Sequence, residues 1–359
     1  MTAPARRRIL GLDTARGLAL LGMLAAHTVP EGEEEALWDG RSSVLFALVA
    51  GISLGLLAGG TRRPHPGTRA RMARIVALRA LLLVILGIAL TLLETPIAII
   101  LDTYGFLFAV AIPLLFAPRW LLGVVAALSA VAGPPLVTWL SDAATAAEST
   151  GGPAAQLIGS PWAYFPEAWL YGVYPAPVWL AYIATGILIA RCDLRRRRTQ
   201  VGMLVTGAVL AAIGYLGGVL RDDPVIAHTN TTAEVVATGG LAVAVVGLVL
   251  LVTAPGESTR ARWARVIAHP VAAAGSMPLT LYTAQIVVIA IIVRTVPGAE
   301  VGLDWQTTPL FFALAVPALA VATLWSLRFE QGPLEWLFSR LSTQRPWRAP
   351  TREPSAPQE

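Results

Sequence analysis

The sequence predicts an all-α, polytopic transmembrane helix bundle, and three observations carry that prediction. The chain of 359 residues is 55% hydrophobic and only 14% charged, where a soluble domain carries roughly 25% charged residues. Apolar runs of about 18 residues or more, long enough to cross a bilayer core of roughly 30 Å, recur from end to end. Arginine-rich and arginine-poor connections alternate, as a chain threading back and forth would leave them. Helices are expected because they satisfy every backbone group internally.

The elements follow in order. Ile9–Val29 comes first. Arg6, Arg7 and Arg8 before it imitate a signal peptide, but Asp13 and Arg16 break the apolar core, so it reads as a retained helix. Ser42–Gly60 and Ile75–Leu93 are runs of aliphatic residues, the second preceded by basic Arg69, Arg71 and Arg74. The piece ETPIAIILD (Glu94–Asp102) is apolar but too short to span, and is expected to be re-entrant or interfacial. Thr103–Ala117 and Trp120–Leu140 are separated by Pro118 and Arg119. Between the latter and the next span lie a low-complexity stretch, AATAAESTGGPAAQ, and PWAYFPEAW, whose aromatic residues suit a membrane interface. Val173–Ala190 ends at Arg191, and Val201–Leu220 starts after Arg195–Arg198. Val235–Thr253 follows HTNTTAE, where Thr231 or Thr232 can cap the helix with Glu234 in its first turn. Pro270–Val293 and Leu310–Leu327 complete about ten helices in a single domain over residues 1–340. Residues 341–359, rich in proline and charge, are expected to form a disordered cytoplasmic tail.

The arginines set the orientation. One set of connections holds Arg6–Arg8, then Arg62, Arg63, Arg69, Arg71 and Arg74, then Arg119, Arg191 with Arg195–Arg198, Arg260, Arg262 and Arg265, and the tail from Arg328. The alternate set holds EGEEEALWDGR, Asp142 and Glu148, Asp222 and Asp223, and Glu300 and Asp304; its arginines are Arg41, Arg221 and Arg294. The positive-inside rule then puts both termini in the cytoplasm, calls for an even number of spans, and points to a cytoplasmic (inner) membrane. The net charge of +5 and pI near 9.9 become an orientation signal and a surface for anionic lipid, with no nucleic-acid partner required. The basic residues are all arginine, which fits a GC-rich bacterial coding sequence. Cys192 is the sole cysteine, so neither an intrachain disulfide nor a cysteine metal site is expected. No phosphate-binding loop, dinucleotide fingerprint or H-E-x-x-H occurs, and no metal is called for.

The first helix is the unusual one. At about 100° per residue, Asp13 and Arg16 lie about 60° apart, and Arg16 and His27 only about 20° apart, so Asp13, Arg16, Leu20 and His27 share a stripe. The helical rise puts His27 roughly 16 Å beyond Arg16. A charge at mid-membrane costs roughly 2.5–3.5 kcal/mol, so such groups face a protein interior or a wet cavity. Either the Asp13–Arg16 pair pins helix packing, or the stripe lines a polar passage in which neutral His27 acts as a general base.

Other candidates sit near the same outer end. Asp39 and Arg41 flank Gly40 at the mouth of the second helix; Arg41 is one of few outer arginines and serves either an acceptor or an interfacial salt bridge. Asp102 and Tyr104 can line the outer cavity, and so can Glu94. His228 is a surface loop residue or a second polar group beside His27. Tyr282 and Gln285, spaced i, i+3 on an apolar helix, should face inward and form an interhelical hydrogen bond. At the inner end Arg79 can snorkel to the surface, or join Arg74 in binding phosphate.

These residues carry a family likeness. GLDTARGLALLGMLAAH, LWDGRSSVLFALVAGISLGL, DTYGFLF, YGVYPAPVWLAYIATGILIAR, GSMPLTLYTAQ and GPLEWL, in that order, resemble the heparan-alpha-glucosaminide N-acetyltransferase-like and YeiB-type integral-membrane proteins. The resemblance implies a transmembrane acyltransferase. It would take an acyl group, typically acetyl, from cytoplasmic acyl-CoA and deliver it to an amine or hydroxyl, often of a sugar, across the membrane. The Arg16–His27 spacing is also similar to that of surface-polysaccharide O-acyltransferases. The lysosomal relatives look to a histidine in the loop before W-x-G; here that loop, TVPEGEEEALWDG, has none, and His27 is nearest.

The expected assignment is therefore His27, Asp13 and Arg16 as catalytic residues; Asp39, Arg41, Asp102, Tyr104, His228 and Gln285 around the acceptor; and Arg74 and Arg79 on acyl-CoA, which the resemblance implies is acetyl-CoA. Membrane lipids and a small-molecule or glycan acceptor are the expected partners. A transporter, or a non-catalytic membrane partner protein, would use the same buried polar residues.

Overall fold

The computed structural model describes residues 8–343 except 31, 33–34, 63, 151–163, 257 and 297–304. Helix makes up 78% of it, and no strand occurs among the described residues. The helices are α1 (Leu10–Thr28), α2 (Arg41–Leu57), α3 (Arg69–Thr91), α4 (Leu101–Ala111), α5 (Arg119–Thr150), α6 (Ala176–Ala190), α7 (Arg197–Val219), α8 (Thr232–Val252), α9 (Thr259–Gly275), α10 (Pro278–Thr295), α11 (Thr308–Ser326) and α12 (Pro333–Thr343). A short turn, Tyr164–Pro166, and a π-helical stretch, Glu167–Tyr171, precede α6.

Among the described residues six helices are long and apolar enough to cross a membrane: α3 with its leading turn, α5, α7, α8, α10 and α11. The pair Tyr164–Tyr171 and Ala176–Ala190, bent by 53°, makes a seventh if it is one span. Several such helices mark a multi-pass membrane protein. The side-chain pattern of α7 agrees. Val201, Val205, Val209, Ile213 and Leu216 are exposed along one face, while Met203, Gly207, Ala211 and Gly214 are buried against α8. Large apolar residues outward and small residues inward is the arrangement for a lipid solvent, where close backbone packing rather than hydrophobic burial joins helices.

Several boundaries differ from those expected. The run Pro270–Val293 is two elements, because α9 ends at Gly275 and the chain bends at Ser276 and Met277 before Pro278 opens α10. Proline disfavours the helical conformation in the residue before it, and Met277 has φ −132° and ψ 50°. Pro113 cuts the fourth run to α4 plus a 3₁₀ turn, Pro113–Phe116. By contrast α5 continues through Pro134 and Pro135 to Thr150. The amphipathic α12 carries the chain past residue 340 to Thr343; the rest of the expected tail, 344–359, lies outside the described residues, as do Arg63, Glu300 and Asp304.

α1 is the hub, packing on α2, α8, α9, α10 and α11. Its approach to α9 is close enough to require glycine: a Cβ at Gly17 would overlap the Val271 carbonyl oxygen, and one at Gly275 the Asp13 carbonyl oxygen. That contact is what brings Arg16 within reach of the C-terminal end of α9.

Candidate functional site

Two cavities lie at opposite ends of α1. The first, about 1040 Å³, is lined at the amino end by Arg8, Asp13 and Arg16. Asp13 Oδ1 accepts from Arg16 Nη1 at 2.8 Å, and Asp13 Oδ2 accepts from Arg8 Nε at 3.1 Å. Arg16 also donates to the Gly275 carbonyl at 2.8 Å and to Ser53 Oγ at 2.7 Å, so one guanidinium ties α1, α9 and α2 together. Its fixed fork of donors allows that; a lysine ammonium could not span the three. Arg79, half-buried, lines the same cavity and donates to Ser342 Oγ at 3.2 Å, anchoring α12. Arg71 and Arg195 join it, with Asp193 as the second carboxylate. Arg74 is exposed and is not among the lining residues. The residues that sequence reasoning did not place here are Arg8, Ser53, Arg71 and Arg195. The basic composition of their segments hinted at the three arginines, while Ser53 lies in an apolar run with no such signal. Five arginines against two aspartates suit a large anion.

The second cavity, at the carboxyl end of α1, is about 40 Å³, room for a water or two. His27, Ser42, Ser43, Tyr174, His228 and Tyr282 are among its lining residues. The expectation that Gln285 faces inward holds: its amide nitrogen lies 2.6 Å from His27 Nδ1. If the amide donates, the ring proton sits on Nε2; with the amide turned over, Nδ1–H donates to the Gln285 oxygen and Nε2 is free to accept. Gln306 Nε2 donates to the His27 carbonyl at 3.1 Å, replacing a helical partner at the end of α1. Tyr282 is buried near the Ile100 backbone, and its hydroxyl makes no hydrogen bond of good geometry among the described residues.

His228 reaches the cavity through a tightly specified loop. It has φ +63° and Asn230 φ +54°, a backbone region that costs an ordinary residue of order 1 kcal/mol or more. Buried Glu234 holds both in place. Its carboxylate accepts from His228 N at 2.8 Å, Asn230 N at 2.6 Å and Thr229 Oγ1 at 3.2 Å. Thr231 Oγ1 accepts from Glu234 N at 3.1 Å, so Thr231, not Thr232, is the cap. One side of the imidazole packs edge-on against Tyr174, centroids 5.3 Å apart, and the other is open. Burial on the packed side lowers its pKa from the ordinary value, against a weaker upward pull from Glu35.

The remaining candidates surround this cavity without lining it. Arg41 Nη1 pairs with Glu35 Oε2 at 2.7 Å, and Arg41 Nε donates to Tyr215 Oη at 2.8 Å. Glu35 Oε1 accepts from Ala227 N at 2.5 Å, so Arg41 fastens the α2 entrance to α7 and the His228 loop. The interfacial salt bridge, one of its two expected uses, is present. Asp39 Oδ2 accepts from Ala36 N at 2.9 Å and shapes the turn at Gly40, whose φ of +64° needs glycine. Tyr104, fully buried, donates to the Ser43 carbonyl at 3.2 Å behind the cavity wall. Asp102 is also buried; its Oδ2 accepts from Tyr164 Oη at 3.0 Å and Trp169 Nε1 at 2.9 Å, while Oδ1 has no partner among the described residues.

The two cavities share no lining residue, and Ala19 and Leu20 between them are buried in the core. The stripe read from the sequence is therefore two sites on one helix. No group of three His, Cys, Asp or Glu residues placed to hold a metal occurs among the described residues.

Residues 186–345 match the model of a family described as protein of unknown function (DUF418). The matched stretch runs from within α6 to α12 and includes His228, Glu234, Tyr282 and Gln285. No curated protein matches the chain.

Proposed function

We propose that this chain is a bacterial cytoplasmic-membrane acyltransferase, of the kind to which the heparan-alpha-glucosaminide N-acetyltransferase-like and YeiB-type resemblance points. It would move an acetyl group from cytoplasmic acetyl-CoA to an amine or hydroxyl acceptor, a glycan among the candidates, on the far side. In this reading the seven apolar spans, the bent pair counted as one, are joined by α1 and the shorter helices α2 and α4 to reach ten crossings. An even count returns both termini to the cytoplasmic side, in line with the arginine alternation.

The observation that carries this reading is the placement of an arginine-lined cavity and a histidine-lined cavity at opposite ends of one helix. A cavity of about 1040 Å³ is at the upper end of small-molecule sites and can take a nucleotide-sized thioester. Arg8, Arg16, Arg71, Arg79 and Arg195 supply the countercharge for its phosphates. At the other end His27, with Nδ1–H held by the Gln285 oxygen, takes the acceptor's proton at Nε2. The acceptor oxygen or nitrogen bonds to the thioester carbonyl carbon, the carbon–sulfur bond breaks, and the proton passes to the thiolate. Tyr282, whose buried hydroxyl lies by the Ile100 backbone and has no hydrogen-bond acceptor among the described residues, is the proposed stabiliser of the tetrahedral oxyanion. Transfer requires a path past Gly17, Leu20 and Gly22.

That packed segment is also what favours the second reading. A transporter with an occluded middle and polar sites at both ends would look the same. The test is labelled acetyl-CoA added to the purified chain in nanodiscs. Acetylated acceptor or acyl-enzyme that disappears in His27→Ala supports the enzyme. Solute uptake into liposomes with no acetyl-CoA consumed supports the transporter.

A further inference from the structure

A third cavity, about 220 Å³, borders the His27 cavity, and the two share Ala98 and Tyr174 as lining residues. Its polar lining consists of hydroxyl groups: Thr91, Thr95, Thr103, Tyr164 and Tyr174. Among the described residues no charged side chain lines it; the rest is Ile97, Ala98, Ile99, Ala168 and Val173.

The hydroxyls are polarised in a definite way. Tyr164 spends its proton on Asp102 Oδ2, which leaves the phenolic oxygen as an acceptor. Thr91 Oγ1 lies 3.1 Å from the Gly87 carbonyl and 3.4 Å from Tyr164 Oη and gives its one proton within the protein, so its oxygen is likewise an acceptor. Thr95 Oγ1 is buried with no partner among the described residues and can both donate and accept. Acceptors beside a donor–acceptor match adjacent hydroxyls on a ligand, each of which gives one hydrogen bond and takes another. Ile97 and Ile99 offer apolar surface to the C–H face of a ring. The volume is below the roughly 300 Å³ at which drug-sized sites begin, so it fits one small ring.

We propose that this cavity binds a single neutral polyol ring and presents one of its hydroxyls to the His27 cavity. The ligand's role as acyl acceptor rests on the acyltransferase reading; its binding does not. The carboxylate beside the cavity, Asp102, does not line it and is screened from it by Tyr164 and Trp169, so the described lining meets a ligand with neutral hydroxyls and favours an oxygen nucleophile, with an ester as product. The balanced step is then the one above: the ring oxygen–carbon bond forms, the carbon–sulfur bond breaks, and the hydroxyl proton ends on the thiolate.

The test is saturation-transfer NMR on the full chain in nanodiscs, with glucose and with glucosamine as probes and no acyl-CoA present. A saturable glucose signal is expected, with glucosamine weaker at neutral pH. Thr95→Val, which removes no hydrogen bond present within the protein, should weaken glucose on the order of tenfold, as the loss of one good hydrogen bond does. Tyr164→Phe should do the same, and the unfolding temperature of each variant shows that it is folded. No saturable glucose signal, a glucose signal unchanged in folded Thr95→Val, or tighter binding of glucosamine than of glucose would each overturn the proposal. Acetyl transfer without glucose binding would remove this site and leave the acyltransferase reading standing. Glucose binding without acetyl-CoA turnover would do the reverse.

Discussion

The two ends of α1 solve opposite problems. The amino end gathers charge: Asp13 sits between Arg8 and Arg16, and the wide cavity around them holds more cations than anions. The carboxyl end is tight and carries no formal charge on its lining, apart from what its two histidines acquire. The amino end is fixed by long side chains that cross-link helices. The carboxyl end is fixed by backbone, through Glu234, the strained loop at His228 and the turn at Gly40. The difference teaches that polar residues on one membrane helix need not form one continuous path. An end built for electrostatic capture and an end built for positioning can be separated by a few packed residues.

The largest effect should come from the carboxyl end. His27→Ala is expected to lower acetyl transfer by about 10²–10⁴-fold, the usual worth of a general base, with acetyl-CoA binding unchanged by calorimetry. A parallel loss of binding would mean that the two ends are not separate. Next, Glu234→Ala removes three hydrogen bonds from the loop and frees two strained residues, and should cost on the order of 2 kcal/mol in a reversible denaturation series. An unchanged midpoint would show that the loop is held by other contacts.

At the amino end, Arg79→Ala should weaken acetyl-CoA binding by on the order of tenfold, and raising salt should weaken the wild type further. Salt-independent binding would remove the electrostatic account of this cavity. The smallest effect is a pH dependence. Burial lowers the His228 pKa, so the unfolded chain binds this proton more readily than the folded one. Stability should therefore fall as pH drops below the ordinary histidine value of 6.5, and His228→Gln should flatten that limb of the melting profile. The open side of the ring keeps the change small.

Much of the architecture was legible because lipid imposes a simple rule on composition. The spans over α3, α5, α7 and α8 are recognisable as apolar runs, and HTNTTAE announces the start of α8. Helix breaks were harder. Pro113 and Pro278 mark helix breaks while Pro134 and Pro135 do not, and local sequence alone does not separate these cases. At the site, the Gln285 and Tyr282 spacing marked an inward face, but not that His27 is the partner. Arg41 was marked as exceptional by its place among outer arginines, yet its partners Glu35 and Tyr215 come from a loop and a distant helix. Tyr164 and Thr95 gave no signal, because a hydroxyl acquires a role only when a cavity forms beside it.

By itself the sequence determined that this protein is helical and apolar, with arginines segregated between alternate connections, since hydropathy, helix period and charge counts are properties of segments. It also determined that α1 carries Asp13, Arg16 and His27 along one side, because the angle between them follows from helix geometry alone. Only the tertiary structure decided that this side opens into two cavities rather than one, that Gln285 meets His27, and that hydroxyls from three separate segments face one space. Those outcomes depend on which helices pack together and how closely, a sum over many weak contacts that no single segment contains.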